Sequence, residues 1–320
     1  MKTKRCLVSG CCGYIGTHLV KQLLSDRCEV IGIDNGLVGW DSIKSFKNNS
    51  NFKLIKGDIC ESHTWLKALK SKPDYVFHLA GIVGDPACLK DTDLSYEVNV
   101  MATREGAKLC KKAGVKKFIM ASTCTVYGNQ LGKMTEENKA LPIDWYGRTK
   151  IVNEVDLQKI FKKDELIITR FATAGGVSPR MRFDLVLNVL CLIGFNKRKL
   201  MIDGTGKQRR PLTNCEDLAR SMKFLVDNNA SGVYNISNEN FEIVGLAKLI
   251  KKQIGKSTLE FREIMEDWRS YNVSSQKILD MGFKFKHTIT KTITTLLNSL
   301  KAGKYKDYKK DKYYNDRLKI

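Results

Sequence analysis

Three glycines set the terms for this chain. Gly10-Cys11-Cys12-Gly13-Tyr14-Ile15-Gly16 has the spacing G-x-x-G-x-x-G, and it lies between the apolar run Arg5-Cys6-Leu7-Val8-Ser9 and a segment of helical periodicity. Glycines let such a loop turn tightly, let its backbone approach a pyrophosphate, and let the next helix pack closely on a sheet. The helix N-terminus then turns free N–H groups toward the anion. Three glycines alone also fit a plain tight turn, so the pattern that follows them has to decide.

Apolar runs at residues 30–33, 52–55, 75–79, 118–121 and 166–168 alternate with segments of helical spacing at 14–25, 62–70, 96–112 and 145–161. Buried runs separated by amphipathic helices predict right-handed crossovers and a parallel sheet covered on both faces. The expected class is α/β, a Rossmann-type doubly wound parallel sheet. After about Ala174 glycines, prolines and arginines cluster, with helical spacing at 217–226 and 244–254 and a strand at 232–236. The expected division is a nucleotide-binding domain over 1–174 and a smaller C-terminal α/β substrate domain over 175–320. One helix–strand unit of the second half is expected to return to the main sheet.

Composition removes other classes. The 320 residues are 42% hydrophobic and 28% charged, which is ordinary for a globular chain and excludes a disordered or collagen-like one. No apolar run approaches the ~20 residues of a membrane span. The basic N-terminus is followed at once by glycines and no small-residue cleavage site, so no secretion signal is expected, and the expected location is cytoplasmic. The ten cysteines are scattered, with no C-x-x-C and no H-E-x-x-H, which predicts reduced thiols and no structural zinc. The net charge of +21 is mostly lysine spread along the chain. It is densest at 301–310, where lysines interleave with tyrosine and aspartate. That segment reads as a solvated surface, and its field would also attract an anionic substrate.

Asp34 ends the second run about 20 residues beyond the glycine loop. A carboxylate there can accept both hydroxyls of an adenosine ribose and repels a 2′-phosphate, which favours NAD over NADP. Asp58, in Gly57-Asp58-Ile59, is placed either to accept from an adenine amino group or to cap a helix. Leu79-Ala80-Gly81 ends the fourth run, at the crevice where ligands of such sheets bind. Tyr146 and Lys150 stand four residues apart and so share a helix face. A neighbouring ammonium, together with a positive nicotinamide ring, is expected to favour the phenolate and make Tyr146 a usable base near neutrality. Y-x-x-x-K alone arises often by chance; here it follows a nucleotide loop and a strand ending in Ser122-Thr123.

Taken together, these residues resemble the extended short-chain dehydrogenases/reductases, in the branch of NAD-dependent nucleotide-sugar epimerases and dehydratases. The resemblance covers nearly the whole chain. It rests on Gly10, Gly13 and Gly16, Asp34-Asn35, Gly57-Asp58, His78-Leu79-Ala80-Gly81, Asn99, Ala121-Ser122-Thr123-Cys124-Thr125-Val126-Tyr127-Gly128 and the Tyr146/Lys150 pair. It implies NAD as cofactor, bound by Gly10, Gly13, Tyr14, Ile15, Gly16, Asp34, Asn35, Asp58, Ile59, Leu79, Ala80, Gly81, Asn99, Tyr146, Lys150 and Phe171. It implies Tyr146 as the base on a sugar hydroxyl, Lys150 on the nicotinamide ribose, and Thr123 on the same sugar oxygen as Tyr146. Ser122 would lie nearer the cofactor, while Cys124 is expected only to pack. For a nucleotide-diphosphate sugar it implies contacts from Val83, Thr173, Arg180, Arg182, Arg210 and Arg269. Arg210 and Arg269 would meet the diphosphate, because the guanidinium fork suits phosphate. Residues 178–185 resemble a segment of a bacterial, often polysaccharide-linked subset. Family members are commonly homodimers through a four-helix contact, for which residues 96–112 and 145–161 are the candidates.

A 4,6-dehydratase of this family carries an acid and a base, usually Asp-Glu, directly after the hydroxyl residue. Cys124-Thr125 stands there and cannot do that work. The expected reaction is oxidation at sugar carbon 4, by a 4-epimerase if the keto sugar turns over in the pocket or a 4-dehydrogenase if it leaves. The reverse direction is a 4-ketoreductase. An alternative of another class is a non-catalytic NAD-binding protein that uses its basic surface on RNA, although nucleic acid and membrane are not expected partners.

Overall fold

In the computed structural model, which describes residues 3–263 and 269–318, seven strands form one sheet. They are β1 (Arg5–Ser9), β2 (Glu29–Asp34), β3 (Phe52–Lys56), β4 (Tyr75–His78), β5 (Lys117–Thr123), β6 (Leu166–Phe171) and β7 (Gly232–Ile236). Their spatial order is β7-β6-β5-β4-β1-β2-β3, and every neighbouring pair is parallel. Strand side chains alternate between faces, and this sequence makes both faces apolar. Val8, Phe77, Ile119 and Ile167 join one core, while their neighbours Leu7, Val76, Phe118 and Ile168 join another.

The longer helices are α1 (Gly16–Ser25), α2 (Ser62–Leu69), α3 (Ala102–Lys112), α4 (Trp145–Ile160), α5 (Val186–Lys197), α6 (Cys215–Asp227), α7 (Ile243–Ile254) and α8 (Ile289–Lys301). α1 and α6 bring Leu19, Leu23, Met222 and Leu225 to the first core. α2, α3 and α4 bring Trp65, Ala107, Cys110 and Leu157 to the second. The expected doubly wound sheet is therefore present. The α6–β7 unit joins it, with Val233 opposite Ile168. A further core gathers α5, α7 and α8 around Leu200, Ile202 and Leu212.

Several expectations change in detail. The first helix starts at Gly16 rather than residue 14, because the loop turns through Ile15. The segment 96–112 is not one regular helix. A short helix, Thr92–Tyr96, passes through a π turn at Glu97–Met101 before α3 begins. The C-terminal segment departs most. Its lysines are exposed as expected, but Tyr305 and Tyr313 are buried against Phe183, with ring centroids 5.3 and 5.6 Å away. The Phe183 N–H donates to the Tyr313 carbonyl at 2.8 Å, so the chain beyond α8 is packed on the body. The tyrosines turn inward while the lysine heads stay in water.

All ten cysteines are free thiols. Among the described residues no helix is long and apolar enough to cross a membrane. Asp267 and Trp268, which directly precede Arg269, lie outside the described residues.

Candidate active site

Strand order reverses between β1 and β4, the position where open parallel sheets bind ligands beyond their carboxyl ends. A cavity of about 970 Å³ opens there.

One end is built by the glycine loop. Gly10 has φ +74°, and a Cβ on it would lie 2.8 Å from the Ala80 nitrogen, so the loop sits directly on the end of β4. A Cβ on Gly16 would collide with the Gly10 carbonyl. Asp34 follows on β2. Its Oδ2 accepts from the Cys12 N–H at 2.9 Å and its Oδ1 from the Gly36 N–H at 3.0 Å, which fixes the carboxylate while it lines the cavity. Burial pushes this carboxyl up, against the pull of those N–H groups. Asn35 donates to Asp58 Oδ2 at 2.9 Å, and Asp58 Oδ1 accepts from the Cys60 N–H at 2.9 Å. Asp58 thus caps no helix, since the residue before α2 is Glu61. Cys11, Cys12 and Asp34 bring two sulfurs and a carboxylate within 4.8 Å of one another. Cys11 is fully buried behind Gly32, and the neighbouring Cys12 thiol together with burial pushes the Cys11 thiol up.

Tyr14, Ile15, Ile59, Leu79, Ala80, Gly81 and Phe171 also line the cavity. Asn99 stands behind the wall instead. It projects from the π turn, is 1% exposed, accepts from the Ile82 N–H at 2.8 Å and donates to the Ile82 carbonyl at 2.9 Å. It therefore shapes the loop after β4 and does not face the cavity.

The reacting wall combines the end of β5 with the first turns of α4. Thr123 Oγ1 accepts from the backbone and the hydroxyl of Thr125, at 3.2 and 3.1 Å, leaving its own proton for another acceptor. Tyr146 and Lys150 follow one turn apart, with the ammonium 5.8 Å from the phenol ring centroid. The start of α4 is held by two carboxylates. Asp144 accepts from the Gly147 N–H, and Asp85 accepts from the N–H groups of Trp145 and Tyr146 at 2.9 and 3.3 Å. Ser122 lines the cavity too, but its hydroxyl donates to Glu154 at 2.5 Å. Cys124 is packed at 1% exposure, as expected.

The expected lowering of the Tyr146 pKa is not present in the protein's own field. Burial pushes the phenol well up, reinforced by the neighbouring Cys88, and Arg182 only partly opposes this. Desolvation disfavours the phenolate more than the surrounding charges favour it. The same burial lowers Lys150 to about 8, while Cys88 and Glu154 pull it back up.

Val83, Thr173, Arg180, Arg182, Arg210 and Arg269 all line the cavity. Arg182 pairs with Asp184 at 2.5 Å. Arg269 pairs with Asp144 at 3.0 Å, and Arg210 donates to the Arg269 carbonyl, so these two arginines are linked to each other and to the start of α4. Sequence reasoning missed Tyr314, Asn315, Asp316 and Leu318, which form part of the cavity wall. The signal was the tyrosine spacing within the lysine-rich segment, masked by the charge around it.

The residues fit a dinucleotide. A Cβ at Gly10 or Gly16 would collide with backbone packed against the loop at the start of α1, and a fixed carboxylate stands at the end of β2, where a ribose would lie.

The family model described as "NAD dependent epimerase/dehydratase family" matches residues 6–237. A Bos taurus protein named dTDP-D-glucose 4,6-dehydratase is 30% identical over 318 residues, covering 91% of this chain and 88% of that protein. A Bacillus subtilis protein named uncharacterized UDP-glucose epimerase YtcB is 30% identical over 227 residues, covering 68% and 70%. The solved structure of a UDP-glucuronic acid 4-epimerase from Bacillus cereus, in complex with UDP-glucuronic acid and NAD, superposes with a TM-score of 0.83 at 28% identity, covering 93% of this chain and 99% of that one. With the glycine loop, the fixed Asp34 and the Thr123/Tyr146/Lys150 wall on one cavity, this chain belongs to the NAD-dependent epimerase/dehydratase family of the extended short-chain dehydrogenases/reductases.

Proposed function

We propose that this protein oxidises carbon 4 of a nucleotide-linked sugar, as a 4-epimerase or 4-dehydrogenase. NAD, when bound, supplies the hydride acceptor and a positively charged ring. Tyr146 takes the proton of the sugar hydroxyl, Thr123 holds the same oxygen, and Lys150 binds the ribose and supplies positive charge beside the phenol. Arg210 and Arg269 receive the diphosphate. The likeness of residues 178–185 to a polysaccharide-linked subset supports a place in surface-sugar supply.

The observation that carries this reading is that no carboxylate directly follows Thr123 at the end of β5. Positions 124 and 125 are Cys and Thr, Asp85 Oδ1 accepts from the α4 backbone, and Asp184 pairs with Arg182. A dehydratase needs an acid and a base beside the hydroxyl residue, and the bovine relative's name does not carry that chemistry here. Incubation with UDP-, GDP-, CDP- and dTDP-sugars, read by absorbance of reduced cofactor and product NMR, tests the reading. An inverted carbon 4 or a 4-keto sugar supports it, consumption of a supplied 4-keto sugar points to the reductase direction, and loss of the carbon 6 hydroxyl sinks it. Tyr146→Phe should abolish turnover.

The proposal includes a homodimer through α3 and α4. Arg104 and Asp156 join the two helices side by side at 2.5 Å, and Met101, at the end of the π turn before α3, and Val155 on α4 remain 48% and 47% exposed. A mass of one chain at micromolar concentration would remove this part.

A further inference from the structure

Within residues 176–184, Arg180, Arg182, Phe183 and Asp184 line the cavity. One end is fixed over the glycine loop: Ser178 Oγ donates to the Tyr14 carbonyl at 2.8 Å and lies 3.4 Å from Thr17 Oγ1 at the start of α1. At the other end Arg182 Nη2 lies 3.9 Å from where a Cβ on Gly84 would be, and its charge acts on Tyr146. Between these anchors Arg180 lines the cavity at 7% exposure.

A guanidinium has five N–H donors. Arg180 makes one hydrogen bond among the described residues, from Nη2 to Asn315 Oδ1 at 2.6 Å, and no carboxylate lies within ion-pairing distance of it there. Asp184 is already taken by Arg182, with contacts of 3.1 and 2.5 Å. Burying a cation without a counter-ion is costly. Burial and the neighbouring Arg182 push its pKa down to about 9, against the pull of Asp184, Tyr14 and Asp34. Asn315 is itself oriented, because its Nδ2 donates to the Val83 carbonyl at 3.0 Å and leaves the amide oxygen for Arg180. The C-terminal segment thus aims a buried, donor-rich cation into the cavity.

The anion it suits is a diphosphate, which either the dinucleotide or the sugar nucleotide could bring. Arg210 and Arg269 form a separate linked pair at the start of α4. Arg180 instead lies two residues from the serine that is bonded to the glycine loop. We infer that Arg180 is a cation for the diphosphate of the bound dinucleotide, and that Asn315 is the positioning residue that aims it from the C-terminal segment. This rests on the dinucleotide occupying the glycine-loop end.

The test uses the full chain freed of bound nucleotide, with ADP-ribose, adenosine and UDP titrated separately by calorimetry. Wild type should bind ADP-ribose; if it does not, the dinucleotide reading itself has failed. Arg180→Met should weaken ADP-ribose by about tenfold or more, as loss of a charge-assisted contact does, while adenosine and UDP change less than about twofold. Asn315→Ala should weaken ADP-ribose by a smaller factor, and the double variant should be no weaker than Arg180→Met, because the amide acts through the guanidinium. If Arg180→Met does not fold, Arg180→Lys takes its place, with an expected loss of about threefold or more, since a point charge lacks the fork. Unchanged ADP-ribose affinity in the folded arginine variant overturns the inference. Weakened UDP with intact ADP-ribose overturns it in favour of the substrate's diphosphate, and additive losses in the double variant remove the positioning role of Asn315.

Discussion

Glu154 and Arg170 form a buried ion pair at 2.7 Å directly behind the reacting wall, one turn beyond Lys150 on α4. The pair is part of a longer chain of contacts. Glu154 accepts from Ser122, Arg170 also donates to Tyr127 Oη at 2.9 Å, and Tyr127 donates to Asn235 at 2.8 Å. It joins β5, β6 and β7 beneath the site, and every charge in it is compensated.

Breaking that pair strands its partner. Glu154→Leu leaves Arg170 buried without its carboxylate and is expected to cost about 3–5 kcal/mol, whereas Glu154→Gln, which keeps one acceptor, should cost less. Denaturant unfolding of both variants checks this. Equal stability of Glu154→Leu and wild type would show that the pair contributes nothing.

Lys150 should oppose the fold it serves. Its folded pKa of about 8 lies below the ordinary 10.5. The unfolded chain therefore binds the proton more tightly, so stability rises as pH climbs from about 8 to about 10.5, and the full penalty persists below 8. Lys150→Met removes it, with an expected gain of up to about 3 kcal/mol at neutral pH and a loss of turnover. Thermal melts of the two proteins at pH 7 and pH 10 read this directly. The difference between them should shrink at the higher pH, and a variant less stable at both would contradict the prediction.

His78 gives the acid limb. It is fully buried, with hydroxyl partners at both ring nitrogens: Ser9 at 2.7 Å and Thr103 at 2.8 Å. Burial, with a smaller push from Lys150, lowers its pKa to about 3 from 6.5. Because the unfolded histidine takes up a proton first, its contribution is present above about 6.5 and is lost as pH falls toward about 3. His78→Gln should flatten the stability profile over that window. A profile with the same slope as wild type would place the acid sensitivity elsewhere.

Gly16→Ala tests the cradle. The added methyl meets the Gly10 carbonyl, which is backbone and cannot rotate away. NADH binding followed by fluorescence should weaken by about tenfold or more, of the order expected when helix and phosphate loop are forced apart. Unaltered binding would mean that the loop has slack the packing does not show.

The sheet and most of the cavity floor were legible in the order of the residues. Runs such as Val76-Phe77 and Phe118-Ile119 are apolar at every position, and only a strand buried on both faces satisfies them. The glycine loop, Asp34 and the Tyr146/Lys150 pair were legible because their spacing is local: turn, strand end and helix repeat each fix a geometry within a few residues. Helix α5 was not legible. Val186 to Lys197 is apolar nearly all round, so no stripe distinguishes it, and it is its packing between α7, α8 and the strands at residues 173–175 and 199–203 that identifies it. The direction of the Tyr146 shift, the placement of Asn99 behind the wall and the partnership of Arg180 with Asn315 depend on residues far apart in the chain, up to 135 positions for the last. Desolvation and long-range hydrogen bonds are sums over neighbours in space. Tertiary structure alone decides which neighbours those are.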